Sequence, residues 1–394
     1  MTPLGIYIHI PYCKSKCAYC DFYSRCGDKE EFSAYTNAIT KHISEAQMRE
    51  SDYRADTIYF GGGTPTSIGE RNLIKILNAV FRSFRVTDDC EITVEANPNT
   101  ADLRMLKRLR RAGVNRISFG MQSKNPAELR VLGRTHTFDD VVSAVDMARR
   151  AKIDNISLDL MYGLPSQTME SFLDSLDAAI ELHPNHISCY ALKLEEGTPL
   201  AEYPETLCLP DDDTVADMYL AAVTRLTDEG YEQYEISNFA LPGFRSRHNM
   251  KYWNLGEYWG FGPSAHSLIG RKRFSFIRDT QRYIEAFSTG DTVIDKMETI
   301  SATERAGEYL MLMLRTSDGI TPEELEKKYL FFFDKIEKVL LKYHNLGCSE
   351  FDGMRWRLTP KGFLISNRII GEVLDALESS ERLVRPINGY TRKD

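Results

Sequence analysis

The pattern that most restricts this chain is a strand-and-helix unit repeated six times in its first half, with an unusual residue set at the end of every strand. Strands are expected from about Gly5 and then over 56–60, 91–95, 116–120, 156–160 and 186–192. Helices are expected over 31–47, 70–84, 138–151 and 168–182. One more, capped by Asn99 or Thr100, ends at Gly113. In 70–84 the residues Leu73, Ile76, Leu77, Val80 and Phe81 share one face. Alternation of this kind predicts parallel βαβ units. The strand bodies read as apolar. Their ends carry, in order, Cys13, Cys17 and Cys20, then Gly61–Gly63, Glu95, Gln122, Asp159 and Tyr190. Barrel chemistry collects at the C-terminal strand ends, so the expected α/β fold is a partial (β/α)6 barrel rather than an open doubly wound sheet.

The first strand end is the most informative. Cys13-x3-Cys17-x2-Cys20 places three thiols in one loop. Three thiolates can hold three corners of a [4Fe–4S] cluster and leave the fourth iron open. S-adenosylmethionine is the known occupant of such a vacancy, and its radical chemistry belongs to the cofactor pair. The alternative is structural zinc, which takes four ligands; His9 and Cys26 are the nearest candidates for a fourth. A disulfide framework fits poorly, because the group is odd and no secretion signal precedes it.

The 394 residues suffice for two or three domains. A net charge of −8 argues against nucleic acid as the main partner. Cys26, Cys90, Cys189, Cys208 and Cys348 are scattered, as reduced thiols are. No apolar run approaches the ~20 residues of a membrane span. The first strand leaves no room for a targeting peptide, so a cytoplasmic protein is expected.

Each rim residue has a plain structural reading beside the functional one. Gly61–Gly63 makes a tight turn, or lets a ligand approach bare backbone. Glu95 and Asp159 either cap turns or accept hydrogen bonds from ribose hydroxyls or an amino group. Arg134 is a surface cation, or pairs with a carboxylate. Further on, 211–229 reads as a helix and 231–237 as a strand. Capping boxes at Ser301 and Thr321, a helix over 333–345, an Asp352-Gly353 hairpin and a helix over 363–378 make a small winged-helix-like module. DNA binding is its tempting function, but no basic stripe marks a recognition helix. The expected division is 1–240 barrel with extension, 241–295 connecting region, 296–380 helical domain and 381–394 loose tail.

The cysteine loop in its Tyr-Ile-His-Ile-Pro-Tyr-Cys setting, Gly-Gly-Gly-Thr-Pro-Thr, Val-Glu-Ala-Asn-Pro, Ser-Phe-Gly-Met-Gln and Asp159-Leu-Met-Tyr-Gly-Leu-Pro165 together resemble the radical-SAM family of oxygen-independent coproporphyrinogen III dehydrogenase, over nearly the whole chain. The resemblance implies that Cys13, Cys17 and Cys20 ligate the cluster. It implies that Tyr7, Tyr19, Gly62, Gly63, Thr64, Glu95, Gln122, Arg134 and Asp159 line the S-adenosylmethionine site, with Arg134 on its carboxylate. Two departures matter. Phe22 stands where the dehydrogenase has a further cysteine, and its longer N-terminal extension has no counterpart. Both departures, and His248-Asn249-Met250-Lys251-Tyr252-Trp253, are similar to the sister branch of HemW-type haem chaperones. That implies haem contact by His248, Asn249, Tyr252 and Trp253, with Arg245 and Arg247 on propionates. The implied function is haem delivery to apo-haem proteins such as respiratory enzymes, with a homodimer and transient membrane association as further expectations and no catalytic residue assigned. The alternative is the oxidative decarboxylation of coproporphyrinogen III.

Overall fold

The computed structural model describes residues 1–383 other than 47, 49, 50 and 203. The expected loose tail and the end of the first helix at Gln47 therefore fall largely outside the described residues. The six units are β1 (Thr2–Ile10) and α1 (Lys29–Glu45), β2 (Tyr53–Gly62) and α2 (Glu70–Ser83), β3 (Val86–Ala96) and α3 (Leu103–Ala112), β4 (Arg116–Gln122) with α4 (Pro126–Val131) and α5 (Phe138–Arg150), β5 (Asn155–Tyr162) and α6 (Met169–Glu181), and β6 (His186–Ala191). Each strand pairs in parallel with the next, so all six C-terminal ends reach one rim. The cap of α3 differs from expectation. Asp102 accepts from the Met105 amide at 2.7 Å, while Thr100 closes a separate turn with Asn97. Gly113 does end the helix, at φ +116°.

The strand bodies also differ from expectation: they alternate rather than run apolar. Ile6, Ile8, Ile58, Phe60, Ile92, Val94, Ile117, Phe119, Ile156 and Leu158 pack under the helices, against residues such as Leu77, Leu106, Val141 and Phe172. Burial of each such side chain contributes about 1.5–3 kcal/mol. Every second residue faces the other way. Tyr7, Thr57, Tyr59, Thr93, Glu95, Arg116, Ser118, Ser157, Asp159, His186 and Ser188 make a polar inner face. It is hydrogen-bonded within itself, as in Ser157 to His186 at 2.8 Å and Ser188 to Asp159 at 2.7 Å.

Among the described residues the sheet does not close. After α7 (Asp212–Asp228), β7 (Glu232–Gln233) and β8 (Asn238–Ala240) add to β6 antiparallel. The segment 241–295, expected as a connection, starts with α8 (Arg247–Trp253) and then supplies strands. These are β9 (Tyr258–Phe261), which pairs parallel with β1, then β10 (His266–Ile269), β11 (Lys272–Phe276) and, after α9 (Thr280–Thr289), β12 (Ile294–Thr299). Among the described residues twelve strands form one sheet in the order β12-β11-β10-β9-β1-β2-β3-β4-β5-β6-β8-β7.

The C-terminal part is α10 (Ala302–Met313), the turn α11 (Pro322–Glu324), α12 (Asp334–His344), the hairpin β13 (Ser349–Phe351) and β14 (Trp356–Leu358), then α13 (Pro360–Leu364) and α14 (Ser366–Glu378). Ser301 forms the expected reciprocal box with Glu304. The single last helix expected is two, broken at Ile365. This is a helical, winged-helix-like domain behind an α/β partial barrel.

Candidate cluster and S-adenosylmethionine site

The cysteine loop leaves β1 and is pinned from three sides. Cys13 donates its amide to Arg25 O at 3.0 Å, and Arg25 returns one to Pro11 O at 2.9 Å. Ala18 donates to Leu132 O at 3.0 Å and accepts from Leu200 at 2.9 Å. His9 anchors the far side. It is buried, with Nδ1 bonded to the Tyr7 hydroxyl at 3.1 Å and Nε2 to Tyr23 O at 2.8 Å. Both ring nitrogens are thus engaged, and His9 is no fourth ligand. Cys26 is exposed and turned to the Lys14 carbonyl.

All three loop thiols are half-buried and free. Each has a donor at its sulfur: Thr64 Oγ1 at 3.5 Å for Cys13, Arg134 Nη1 at 3.5 Å for Cys17, and the Phe22 amide for Cys20. Burial raises the pKa of Cys13 and Cys20 in the free-thiol form. Hydrogen bonds to sulfur favour thiolates and tune a cluster's potential. The thiols interact electrostatically, yet among the described residues no three His, Cys, Asp or Glu side chains converge on one metal ion.

Around this loop the structure brings the expected rim residues together. The glycine run serves the protein itself. Gly62 has φ +106°, and a Cβ there would lie 2.6 Å from the His9 ring. One on Gly63 would lie 2.6 Å from Tyr12 O. The glycines therefore close the end of β2 onto the His9 ring of β1 and the backbone of the loop. Thr64 touches Cys13 Sγ through its hydroxyl. Gly120, unnoticed in the sequence, lets Arg134 and Gln122 cross above it: a Cβ there would lie 2.7 Å from Arg134 Nη2 and 2.8 Å from Gln122 Nε2. Gln122 reaches this place through a bulge in β4, at φ +65°. Arg134 donates to Gly120 O at 2.5 Å, while its buried Nε has no partner. A buried guanidinium with a spare donor beside a cluster loop fits a ligand carboxylate. Tyr19 packs on Leu132, Met161 and Leu164, within electrostatic range of Arg134 and Asp159.

Two carboxylates face the inner side. Glu95 accepts from Tyr59 Oη at 2.7 Å. Asp159 accepts from Ser118 at 3.2 Å and from Ser188 at 2.7 Å. Burial pushes the Glu95 carboxyl up to about 7; Asp159 adds to that, and the Tyr59 bond, the Gly62 amide and Arg116 oppose it. Burial also raises Asp159. Arg116, fully buried and with Nε unpartnered, holds the positive charge beneath them. These groups fit a cationic ligand with hydroxyls, such as the amino, sulfonium and ribose groups of S-adenosylmethionine.

The His-Asn-x-x-Tyr-Trp residues are not brought to the rim. They form α8, which lies under the inner face near the N-terminal strand ends. Ser246 caps it, and the carboxylate of Glu91 from β3 accepts the amides of His248 at 3.1 Å and Arg247 at 3.2 Å. Lys251 is held by Asp56 at 2.7 Å. His248 is 1% exposed, with Nδ1 bonded to Thr57 at 2.8 Å and Nε2 to Tyr252 at 2.9 Å. Burial, then Lys251 and Arg116, lower its pKa to about 3, so the ring is neutral. Both of its ring nitrogens are therefore engaged by protein hydroxyls. Asn249 and Trp253 are half-buried. Arg245 pairs with Asp318 at 3.0 Å and Arg247 with Asp89 at 3.3 Å, so both meet protein carboxylates where propionates were expected.

Residues 7–179 match the Radical SAM superfamily, and 300–365 match the HemN C-terminal domain. The chain is 34% identical to haem chaperone HemW of Bacillus subtilis, over 94% of this chain and 99% of that one. The chain belongs to the HemW family. A second HemW, from Lactococcus lactis, is also 34% identical over 94% of this chain and 97% of its own length. A solved structure titled as coproporphyrinogen III oxidase (HemN) from Escherichia coli shares the fold: TM-score 0.82 at 22% identity, covering 96% of this chain and 90% of that one. In this HemW-family chain, sequence reasoning missed Tyr59, Ser118, Ser188, Arg116 and Glu91. Their signal was present as period-two polarity within each strand.

Proposed function

We propose that this protein is a haem chaperone, which carries a [4Fe–4S] cluster and S-adenosylmethionine and passes haem to apo-haem proteins. The observation that carries it is end-to-end relatedness to proteins named haem chaperone HemW. Phe22, 67% exposed beside the cluster loop, stands where the dehydrogenase branch has a cysteine. When bound, the cluster supplies an open iron and an electron. Cys13, Cys17 and Cys20 would hold it. Arg134 would grip the ligand carboxylate; Glu95 and Asp159 would take its amino and ribose groups; Tyr7, Tyr19, Gly62, Gly63, Thr64 and Gln122 would complete the walls. As parts of the same reading the protein works in the cytoplasm, forms a homodimer and visits the membrane transiently to meet respiratory enzymes. No helix among the described residues is long and apolar enough to cross a membrane.

Anaerobic titration of haem into the cluster-loaded protein, followed at the Soret band, tests the reading. Saturation at a fixed haem-to-protein ratio is expected. Absence of binding, with conversion of coproporphyrinogen III under reducing conditions, would establish the decarboxylation alternative.

A further inference from the structure

We propose that the His248 helix is the floor of the S-adenosylmethionine site, and that His248 is a positioning residue for Glu95 rather than a haem ligand. The inference rests on the reading that Glu95 faces S-adenosylmethionine.

The rings of Tyr7, Tyr59 and His248 form one cluster on the inner face. Tyr59 lies 5.1 Å from His248, and Tyr7 lies 6.3 Å from both, each pair close to parallel at 23° to 27°. The upper tyrosine hydroxyls both do work at the rim. Tyr59 donates to Glu95 at 2.7 Å, and Tyr7 bonds His9, which holds the carbonyl of Tyr23 just past the cysteines. Beneath them His248 is fixed on both nitrogens by Thr57 and Tyr252. Tyr252 is in turn set edge-on against Tyr258, at 4.7 Å between ring centroids.

The floor is tied to the barrel at several points. Glu91 accepts the first amides of α8, Lys251 pairs with Asp56, and Gly5 leaves room for the helix: a Cβ there would lie 2.7 Å from Lys251 Cδ and 3.3 Å from the His248 ring. A ring that cannot shift holds the ring stacked on it, and so the hydroxyl that aims Glu95. Placement within a fraction of an ångström is what binding geometry requires of such supports. The polar residues of the motif read as a cofactor box in sequence because a fully satisfied buried histidine and a ligand histidine look alike there.

The test uses the cluster-loaded full chain in four forms: parent, His248→Ala, Tyr59→Phe and Glu95→Gln. S-adenosylmethionine binding is read by calorimetry and by the change it causes in the paramagnetic resonance spectrum of the reduced cluster; haem binding is read at the Soret band. Tyr59→Phe keeps the ring and loses only the hydroxyl, so it remains informative if His248→Ala folds poorly. His248→Ala and Tyr59→Phe should each weaken S-adenosylmethionine roughly tenfold, the scale of one hydrogen bond to a charged group. Haem stoichiometry and the cluster absorbance should stay at the parental level. His248→Gln, whose amide can meet both Thr57 and Tyr252, should recover part of the loss. Loss of haem binding in His248→Ala with parental S-adenosylmethionine affinity would overturn the proposal. If Glu95→Gln itself binds normally, the reading of the site fails; if Glu95→Gln is weakened while Tyr59→Phe and His248→Ala are not, the positioning role alone fails.

Discussion

Replacing Glu95 with glutamine should make the cluster-free protein more stable and a poorer binder. The Glu95 carboxyl is held at about 7, against 4.5 for an ordinary glutamate, chiefly by burial. A pKa raised in the folded state gives stability that is complete below the unfolded value and is lost as pH rises through the folded one. Well below pH 4.5 both states keep the proton. Between 4.5 and 7 the unfolded chain releases it and the folded chain does not. Above 7 the folded protein bears an ionised, desolvated carboxylate at a penalty of about 3 kcal/mol. Glutamine is neutral throughout and can still accept from Tyr59. The stability difference between variant and parent should therefore be small at pH 5 and grow by up to about 3 kcal/mol by pH 8. Glu235, which burial also raises to about 7, titrates in both proteins and cancels from the comparison. Urea denaturation of the two cluster-free proteins at a series of pH values measures it. A difference that stays flat or reverses with pH would refute the reasoning. A carboxylate kept against stability, where an amide would fit, is what a site for a cationic ligand demands.

Other substitutions probe the remaining parts. Cys17→Ala should abolish the brown absorbance of the reconstituted cluster; an unchanged spectrum would remove Cys17 from the ligand set. Arg134→Ala should weaken S-adenosylmethionine in calorimetry and lower the cluster's reduction potential, since it removes both a cation and a donor at 3.5 Å from Cys17 Sγ. Gly63→Ala would put a methyl 2.6 Å from the Tyr12 carbonyl and should lower stability by about 2 kcal/mol in denaturation, with the cysteine loop displaced. Lys251→Met leaves Asp56 with only the more distant Arg247 cation, at 3.9 Å in place of Lys251 at 2.7 Å, and should destabilise by about 1–3 kcal/mol in denaturation; an unchanged stability would mean that Arg247 and water replace the lysine.

The barrel was legible because its signals are local. Each helix carries an apolar face, and most rim residues lie in the C-terminal half of a strand or just past its end. Thr168 and Asp211 cap their helices as simple side-chain acceptors, and Gly113 stops α3. What stayed hidden depends on contacts distant in sequence. Strands β9 to β12 have four to six residues each and are recruited by the free edge of β1, 250 residues away in the chain for the Ile6 and Trp259 pair in round terms. The polar inner face was present as Arg116, Ser118 and Gly120 alternating with Ile117 and Phe119, but a parallel strand is usually apolar on both faces, so the alternation passed for noise. The surroundings of His248 were hidden for a different reason. Sequence shows a histidine among aromatic residues; only the fold shows Thr57 and Tyr252 already on its nitrogens.

The central claim is delivery. Haem-loaded, cluster-loaded protein mixed anaerobically with an apo-haem acceptor, with S-adenosylmethionine present, should move its Soret absorbance to the acceptor's spectrum, and faster than free haem released in the same buffer would allow. Haem that stays with the protein, or that reaches the acceptor only at the rate of spontaneous release, would contradict the account.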